Sequence, residues 1–293
     1  MYVIECPYLS LEKTFTSNQS MRTRMMAEGK YLVLDGNRYC KVIQQKERLV
    51  FDCSEDDFYQ YWFNFFDMKR PYDLVHYHLQ HYADSNLYPL INRAKGVRIL
   101  RQDPFEVAVS SILCHGKSKY HGAQLVDQFV HAFGQVHTRS MAESGKVTWY
   151  SFPTPEQIYR NAGSLQYMDL TDQQREAIIA AARLESAGFF HRMQQSGLED
   201  IYAAIQDLLC DGKLGMDVGL SLLLYSYGNI DVLPASDEIV KSYLANTYGA
   251  KDLVTVSEKH FPQVQDTIGL LYQYILWNQY NPVVELSFDW ERR

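Results

Sequence analysis

The stretch 209–219, which reads LCDGKLGMDVG, decides the fold because it sets closely spaced glycines between two segments with helical periodicity. Such spacing predicts a tight turn between two helices. Backbone N–H groups and a helix N-terminus at such a turn can bind an anion without a basic side chain. Most glycine turns bind nothing, so two interpretations stay open: a structural turn, or a phosphate site. If it is a phosphate site, the residues predicted to contact the nucleic acid are Gly212, Lys213, Gly215 and Val218.

The segment after this turn is an apolar helix beginning at Val218, followed by DVLPASD at 231–237. Upstream, Asp103 and Pro104 supply a helix cap and a first-turn proline. Residues 96–293 are therefore predicted as an all-α domain, in which 140–147 is an exposed loop. The other predicted helices are Tyr120–Phe133, Pro155–Asn161, Thr171–Ser186, Leu198–Leu209, Asp237–Thr247 and Phe261–Gln279.

Residues 1–95 carry the alternating pattern of an antiparallel β domain, so the fold class is α+β. The turn signal Asp-Gly-Asn at 35–37 predicts a hairpin, and 56–67 (DDFYQYWFNFFD) predicts a helix with an aromatic side that covers the sheet. The predicted strands are Tyr2–Cys6, Lys30–Leu34, Arg38–Ile43 and Glu47–Phe51.

Composition narrows the class of protein. No apolar run approaches the ~18 residues of a membrane span, so we expect an intracellular protein in the cytoplasm, nucleoid-associated if bacterial, without a membrane partner. Five scattered cysteines without a CxxC pair indicate neither a disulfide framework nor a metal site. A net charge of −7 argues against indiscriminate coating of nucleic acid, though a local basic patch remains compatible with it.

Several stretches, in order, resemble the helix-hairpin-helix DNA glycosylase superfamily of the 8-oxoguanine and alkylpurine type. They are QSMR at 19–22, VRILRQDPFE at 97–106, FPTPEQI at 152–158, the helix at 175–182, the hairpin, and PASD at 234–237. The resemblance covers about residue 15 to about 280. It implies an 8-oxoguanine-glycosylase-like N-terminal β domain, 1–95, and a helical helix-hairpin-helix glycosylase domain, 96–293.

The resemblance also implies a mechanism. Family members use an aspartate at the start of the helix after the proline motif, which makes Asp237 the catalytic candidate; Ser236 takes that place in a gapless alignment. A first-turn carboxylate that only complements the helix dipole is the alternative. Bifunctional members carry a hairpin lysine that forms a Schiff base. Asp217 stands there, and Lys213 lies four residues earlier, so lyase activity is not expected; both are alternate candidates.

Two further segments receive roles from the resemblance. The stretch 115–119, His115-Gly116-Lys117-Ser118-Lys119, stands where the family fills the gap left by an extruded base, so it is predicted to contact DNA. A solvated helix connection is the alternative. The C-terminal helix resembles the one that lines the base pocket, with Tyr272, Leu276 and Trp277 as pocket candidates. An apolar core face is the alternative there.

These observations predict a monofunctional DNA glycosylase of base excision repair that hydrolyses the N-glycosidic bond of a flipped base in double-stranded DNA. Two alternatives remain: a catalytically degenerate member that binds nucleic acid or a protein partner, and a glycosylase acting on a modified phage base, RNA or a nucleoside. We expect a monomer without cofactor, metal or iron-sulfur cluster. A monovalent cation at the 211–218 hairpin is compatible with the resemblance.

Overall fold

The computed structural model describes residues 1–141, 145–193, 196, 199–201, 203–205, 212–234 and 237–282, and of Lys213 it describes only the backbone. The N-terminal part is a five-stranded antiparallel sheet in the order β1-β5-β4-β3-β2. Its strands are β1 (Tyr2–Glu5), β2 (Arg24–Ala27), β3 (Lys30–Asp35), β4 (Arg38–Gln45) and β5 (Arg48–Phe51). Gly36, at φ +56°, closes the predicted hairpin between β3 and β4.

The two faces of the sheet have different partners because side chains alternate along a strand. Tyr31 and Val33 of β3 face a helical segment whose buried Phe58, Trp62 and Phe65 cover the sheet. This segment runs through α2 (Glu55–Asp57), a π-helical turn (Phe58–Trp62) and α3 (Phe63–Phe65), close to the predicted 56–67. A short helix α1 (Leu11–Phe15) precedes β2.

Helices make up most of the remaining described chain. They are α4 (Tyr72–Tyr82), α5 (Leu87–Arg93), α6 (Pro104–Cys114), α7 (Lys119–Phe133), α8 (Pro155–Arg160), α9 (Asp172–Ser186), α10 (Phe189–Met193), α11 (Gly212–Tyr225), α12 (Glu238–Tyr248), α13 (Leu253–His260) and α14 (Ile268–Tyr280). The predicted α+β class is thus confirmed. In the part that the structure describes, no helix is both long and apolar enough for a membrane span.

A two-stranded antiparallel hairpin, β6 (Val136–Met141) and β7 (Gly145–Tyr150), interrupts these helices where the sequence predicted an exposed loop at 140–147. Its Trp149 is buried against Leu32 and Leu34, on the face of the N-terminal sheet opposite the aromatic helix. The hairpin escaped prediction because a single inward tryptophan, rather than a run of apolar residues, holds it.

One apolar core contains residues from both sides of residue 95, where the sequence predicts a domain boundary. That boundary stays a prediction. Helices α4 and α5 lie before it, yet Leu79 and Ile91 pack with Leu271 and Ile275 of the last helix, α14. A separate core joins α6, α7, α9 and α11. Between these two cores, the end of α6 and one side of α11 lie beside the start of α12 and the end of α14. A cleft forms among these four helices.

Candidate active site

The cleft has a volume of about 770 Å³ and is open to solvent. It lies among the α6–α7 connection, helix α11, the start of α12 and the end of α14. Many residues singled out from the sequence line it: Asp237, Asp217, Tyr272, Leu276 and every residue from His115 to Lys119. Residues from distant parts of the chain, 115–119 and 217–280, thus meet in one place.

Asp237 is the N-cap residue of α12 and also faces the cleft. Its Oδ1 accepts a hydrogen bond from the backbone N–H of Ile239, at 2.8 Å. Its Oδ2 accepts one from the Tyr280 hydroxyl, at 2.9 Å, and its own backbone N–H donates to the Tyr272 hydroxyl, at 3.1 Å. Capping occupies only one carboxylate oxygen; Tyr280 holds the other, and Tyr272 holds the backbone N–H. The alternatives of cap and cleft carboxylate are therefore compatible.

Lys119, the first residue of α7, extends its amine toward the same carboxylate. Its Nζ lies 4.3 Å from the centre of the Tyr280 ring, and this is the ring whose hydroxyl binds Asp237. Partial burial lowers the pKa of Lys119 to about 8, against the opposing influence of Asp237. An amine with such a pKa is partly neutral at physiological pH.

The α6–α7 connection is a shaped turn rather than a loose one. Gly116 has φ +70°, and Ser118 caps α7 through the backbone N–H of His121. Lys117 binds Asp169 at 2.7 Å, which lowers the pKa of that carboxyl group. The basic character predicted for 115–119 is thus present at the cleft, although one of its cations is already paired.

Asp217 occupies the position at which bifunctional members would have lysine, and it is paired with His115. The Oδ2 of Asp217 lies 2.7 Å from Nδ1 of His115, and both side chains are mostly buried. This contact connects α11 to the end of α6 across the floor of the cleft. Asp217 therefore serves as a polar partner of the α6–α7 turn and offers no amine.

The predicted 211–218 turn needs correction, because α11 begins at Gly212 rather than at Val218. Gly212, with φ +68°, is exposed at the helix start, whereas Gly215 and Val218 are buried. The side chain of Val218 packs in the core of α6 and α7, so it is part of the apolar core. Residues 206–211 lie outside the described residues, so the structure describes the hairpin suggested for a monovalent cation only from Gly212 onward.

Trp277, the third pocket candidate, does not line the described cleft. Trp277 packs beneath Lys13 and Arg93, and its Nε1 donates to Thr16 at 3.0 Å, so the helix turns it away from the predicted pocket. Ser236 lies outside the described residues, and so does the side chain of Lys213. No group of three histidine, cysteine or acidic side chains that could hold a metal ion occurs among the residues described.

A deeper cavity of about 110 Å³ adjoins the cleft and shares Asn18, Ser111 and Ser221 with it. The Nδ2 of Asn18 is buried without a hydrogen-bond partner in the described part of the chain, and Asn18 has φ +72°. Gln273 fixes this segment by donating from Nε2 to the carbonyl oxygen of Ser17. The sequence analysis missed Asn18, since a single asparagine carries no periodic signal.

The segment that carries Asn18 is anchored by a buried ion pair. Arg22 Nη1 donates to Glu106 Oε2 at 2.7 Å, and the same oxygen accepts from the backbone N–H of Gly36, also at 2.7 Å. Arg22 donates as well to the carbonyl oxygen of Tyr150. Burial raises the pKa of Glu106, and Arg22 lowers it. Sheet, β6–β7 hairpin and α6 are thus joined behind the cleft.

Comparisons with known proteins agree with this architecture. Residues 2–107 match the family model described as 8-oxoguanine DNA glycosylase, N-terminal domain. The structure of MBOgg1 in complex with a low affinity DNA ligand is 22% identical, with a TM-score of 0.79 over 95% of each chain. A search of curated proteins finds no match.

Two further solved structures are similar over nearly the whole chain. The Clostridium acetobutylicum 8-oxoguanine glycosylase/lyase, in complex with double-stranded DNA containing cytosine opposite to 8-oxoG, is 19% identical, with a TM-score of 0.78 over 97% of this chain and 99% of that one. The 3-methyladenine DNA-glycosylase from Archaeoglobus fulgidus is 18% identical, with a TM-score of 0.71 over 97% and 100%.

The chain therefore has the fold of the helix-hairpin-helix DNA glycosylase superfamily, as the resemblance predicted. Its residues 2–107 are similar to the N-terminal domain of 8-oxoguanine DNA glycosylases.

Proposed function

We propose that the protein is a DNA glycosylase that removes a damaged or modified base during base excision repair. The observation that carries the proposal is the position of Asp237, whose carboxylate faces a cleft of about 770 Å³ beside the basic α6–α7 turn. The glycosylase fold and the matched N-terminal domain support it. Duplex DNA is the proposed partner, and the protein would act as a monomer inside the cell.

The proposed chemistry uses charge rather than a cofactor. As the bond between base and sugar lengthens, positive charge develops on C1′ and the ring oxygen of the deoxyribose. A fixed carboxylate beside that sugar stabilises the oxocarbenium-like transition state, provided that it is preorganised. Tyr280 and the Ile239 N–H hold Asp237 in place from both oxygens, so little reorganisation is needed at the moment of reaction.

Base release is proposed to be hydrolytic. The hairpin amine that bifunctional members use is replaced by Asp217, which is already paired with His115. Water is therefore the nucleophile for base release in this proposal. The extruded base would enter the deeper cavity, where Asn18, Ser111 and Ser221 offer hydrogen bonds to its edge.

The net charge of −7 is compatible with DNA binding because cations are present at the cleft, where three lysines lie beside Asp217, Asp237 and Glu238. Lys117, Lys119 and Lys241 all line the cleft, and the exposed Gly212 begins a long helix whose N-terminus favours phosphate. We expect binding to weaken strongly with salt, since each phosphate contact releases counterions.

One assay tests the proposal: incubation with a panel of duplexes, each carrying one oxidised, alkylated or deaminated base, with and without alkaline cleavage of the abasic product. Base release from at least one lesion, lost in Asp237→Asn, is the expected result. Wild-type protein that binds these duplexes and releases no base from any of them would contradict the proposal and favour a non-catalytic binding protein.

A further inference from the structure

The cleft contains a lysine amine, that of Lys119, which comes from the start of α7 and not from the hairpin. Lys119 Nζ, the ring of Tyr280 and the carboxylate of Asp237 form a contiguous group, through a 4.3 Å approach of the amine to the ring centre and a 2.9 Å hydrogen bond from Tyr280 to Asp237. A carboxylate that acts on C1′ must lie beside the deoxyribose. The amine next to that carboxylate therefore lies beside the same sugar.

Lys119 differs from the other lysines that line the cleft. Lys117 is held by Asp169 at 2.7 Å, and Lys241 is held by Glu238 at 2.6 Å. Within the described residues, the amine of Lys119 makes neither a hydrogen bond nor an ion pair within 4.0 Å. No carboxylate of the described residues therefore lies within that distance to hold the amine in its protonated form.

Protonation also favours Lys119 as a nucleophile. Burial lowers its pKa to about 8. About one-tenth of the molecules then carry a neutral amine at pH 7, against well under a thousandth for a lysine with the ordinary pKa of about 10.4. Asp237 is the charged neighbour that opposes this shift.

We propose that Lys119 forms a Schiff base with the abasic deoxyribose, which gives the protein a lyase activity independent of the hairpin position. This inference rests on the proposed glycosylase function, because base release creates the abasic sugar. It also revises the sequence-based expectation of no lyase activity. That expectation concerned only position 217, and Lys119 reaches the cleft from a different helix.

The proposed reaction requires no oxidant or cofactor. The neutral amine of Lys119 attacks the C1′ aldehyde of the ring-opened sugar, a C–N bond forms, and the carbonyl oxygen takes up a proton. Loss of that oxygen as water leaves a protonated imine. The imine acidifies C2′, which gives up a proton to water. The C3′–O bond then breaks, and the phosphate-bearing 3′ fragment leaves.

The experiment uses the full-length protein, a duplex with a preformed abasic site, and sodium borohydride, which reduces the imine to a stable amine. The wild type should give a covalent adduct, and peptide mapping of that adduct should place the sugar remnant on Lys119. Lys119→Arg keeps the positive charge but cannot form an imine, so adduct yield should fall at least 100-fold. Its affinity for the same duplex should change by less than about fivefold, measured without borohydride.

Two matched variants complete the design. Lys259→Ala, in the last turn of α13, and Lys146→Ala, on β7, each remove a lysine that does not line the cleft. Each should keep adduct yield within threefold of wild type. An adduct that maps to Lys213, or that survives in Lys119→Arg, overturns the inference. So does wild-type protein that binds the abasic duplex without forming an adduct.

The outcomes for the two proposals can be told apart. Base release from a lesion duplex without any trapped adduct leaves the glycosylase function standing and removes only the role of Lys119. An adduct on Lys119 with no base release from any lesion supports the amine and contradicts the glycosylase. Because peptide mapping is done on the wild type, the result does not depend on whether a variant folds.

Discussion

Replacing Asp237 by asparagine changes charge with little change in shape. The cap should survive, since asparagine and aspartate are about equally good at the N-cap position and Oδ1 can still accept from Ile239. On the other side, the Tyr280 hydroxyl can rotate and accept a hydrogen bond from the new amide. We therefore expect a change of less than about 1 kcal/mol in the free energy of unfolding.

The effect on catalysis should be far larger. A carboxylate about 4 Å from a unit positive charge contributes about 4 kcal/mol at an effective dielectric constant of about 20. Loss of that contribution in the transition state alone corresponds to about a thousandfold slower base release. Tyr272 is buried and accepts a hydrogen bond from the Asp237 backbone, so it shields Asp237 from solvent on that side.

The assay is single-turnover base release from the best duplex found in the lesion panel, with thermal unfolding measured in parallel. Asp252→Asn is the matched control: Asp252 caps the next helix, α13, through the Thr255 N–H at 2.9 Å and does not line the cleft. That control should keep its full rate. If Asp237→Asn keeps more than a tenth of the wild-type rate while remaining folded, the electrostatic role of Asp237 is refuted.

Three other substitutions test the surroundings of the cleft. Arg22→Met should lower the free energy of unfolding by about 3–5 kcal/mol, because it leaves buried Glu106 without its cation. Burial already raises the pKa of Glu106, so this loss of stability should shrink as the pH falls from 8 to 5.5 and the carboxyl group protonates. An equal loss at both pH values, measured by urea unfolding, would contradict this. Glycine adopts the positive φ of position 18 easily, so Asn18→Gly should not lower the melting temperature. The relative rates of base release across the lesion panel should change at least tenfold. An unchanged ranking of the lesions would mean that Asn18 does not contact the base. Asp217→Asn removes a negative charge from the cleft and should tighten duplex binding about two- to fivefold in low salt, an effect that should vanish at about 0.5 M salt, where charges are screened.

The sequence predicted the fold well because its signals were local. At the Asp-Pro start of α6 and at the Gly36 turn, a few neighbouring residues determine the local conformation. The basic α6–α7 turn and Asp237 were also singled out from the sequence, because motifs that resemble the family's follow one another in the same order along the chain. The structure then supplied what order alone cannot give, namely that these two segments share one cleft.

The remaining parts of the candidate site depend on long-range contacts. Tyr280 stands next to Asp237 only because α14 packs against α12, and no pattern near residue 280 indicates it. Trp277 was assigned to the pocket from the resemblance of its helix, and the mostly apolar helix gives no directional signal that would correct this; its indole donates to Thr16 instead. The start of α11 was predicted six residues late because glycines at 215 and 219 suggested a turn, whereas both are buried in the helix.

The packing of α4 and α5 against α14 has a consequence for how the chain is made. Synthesis proceeds at about 5–20 residues per second, and about 175 residues separate the end of α5 from the start of α14. For about 10–35 seconds, then, Leu79 and Ile91 emerge from the ribosome without the helix that covers them. A chain interrupted before residue 268 would keep those faces uncovered, so nascent or truncated products should bind chaperones and aggregate.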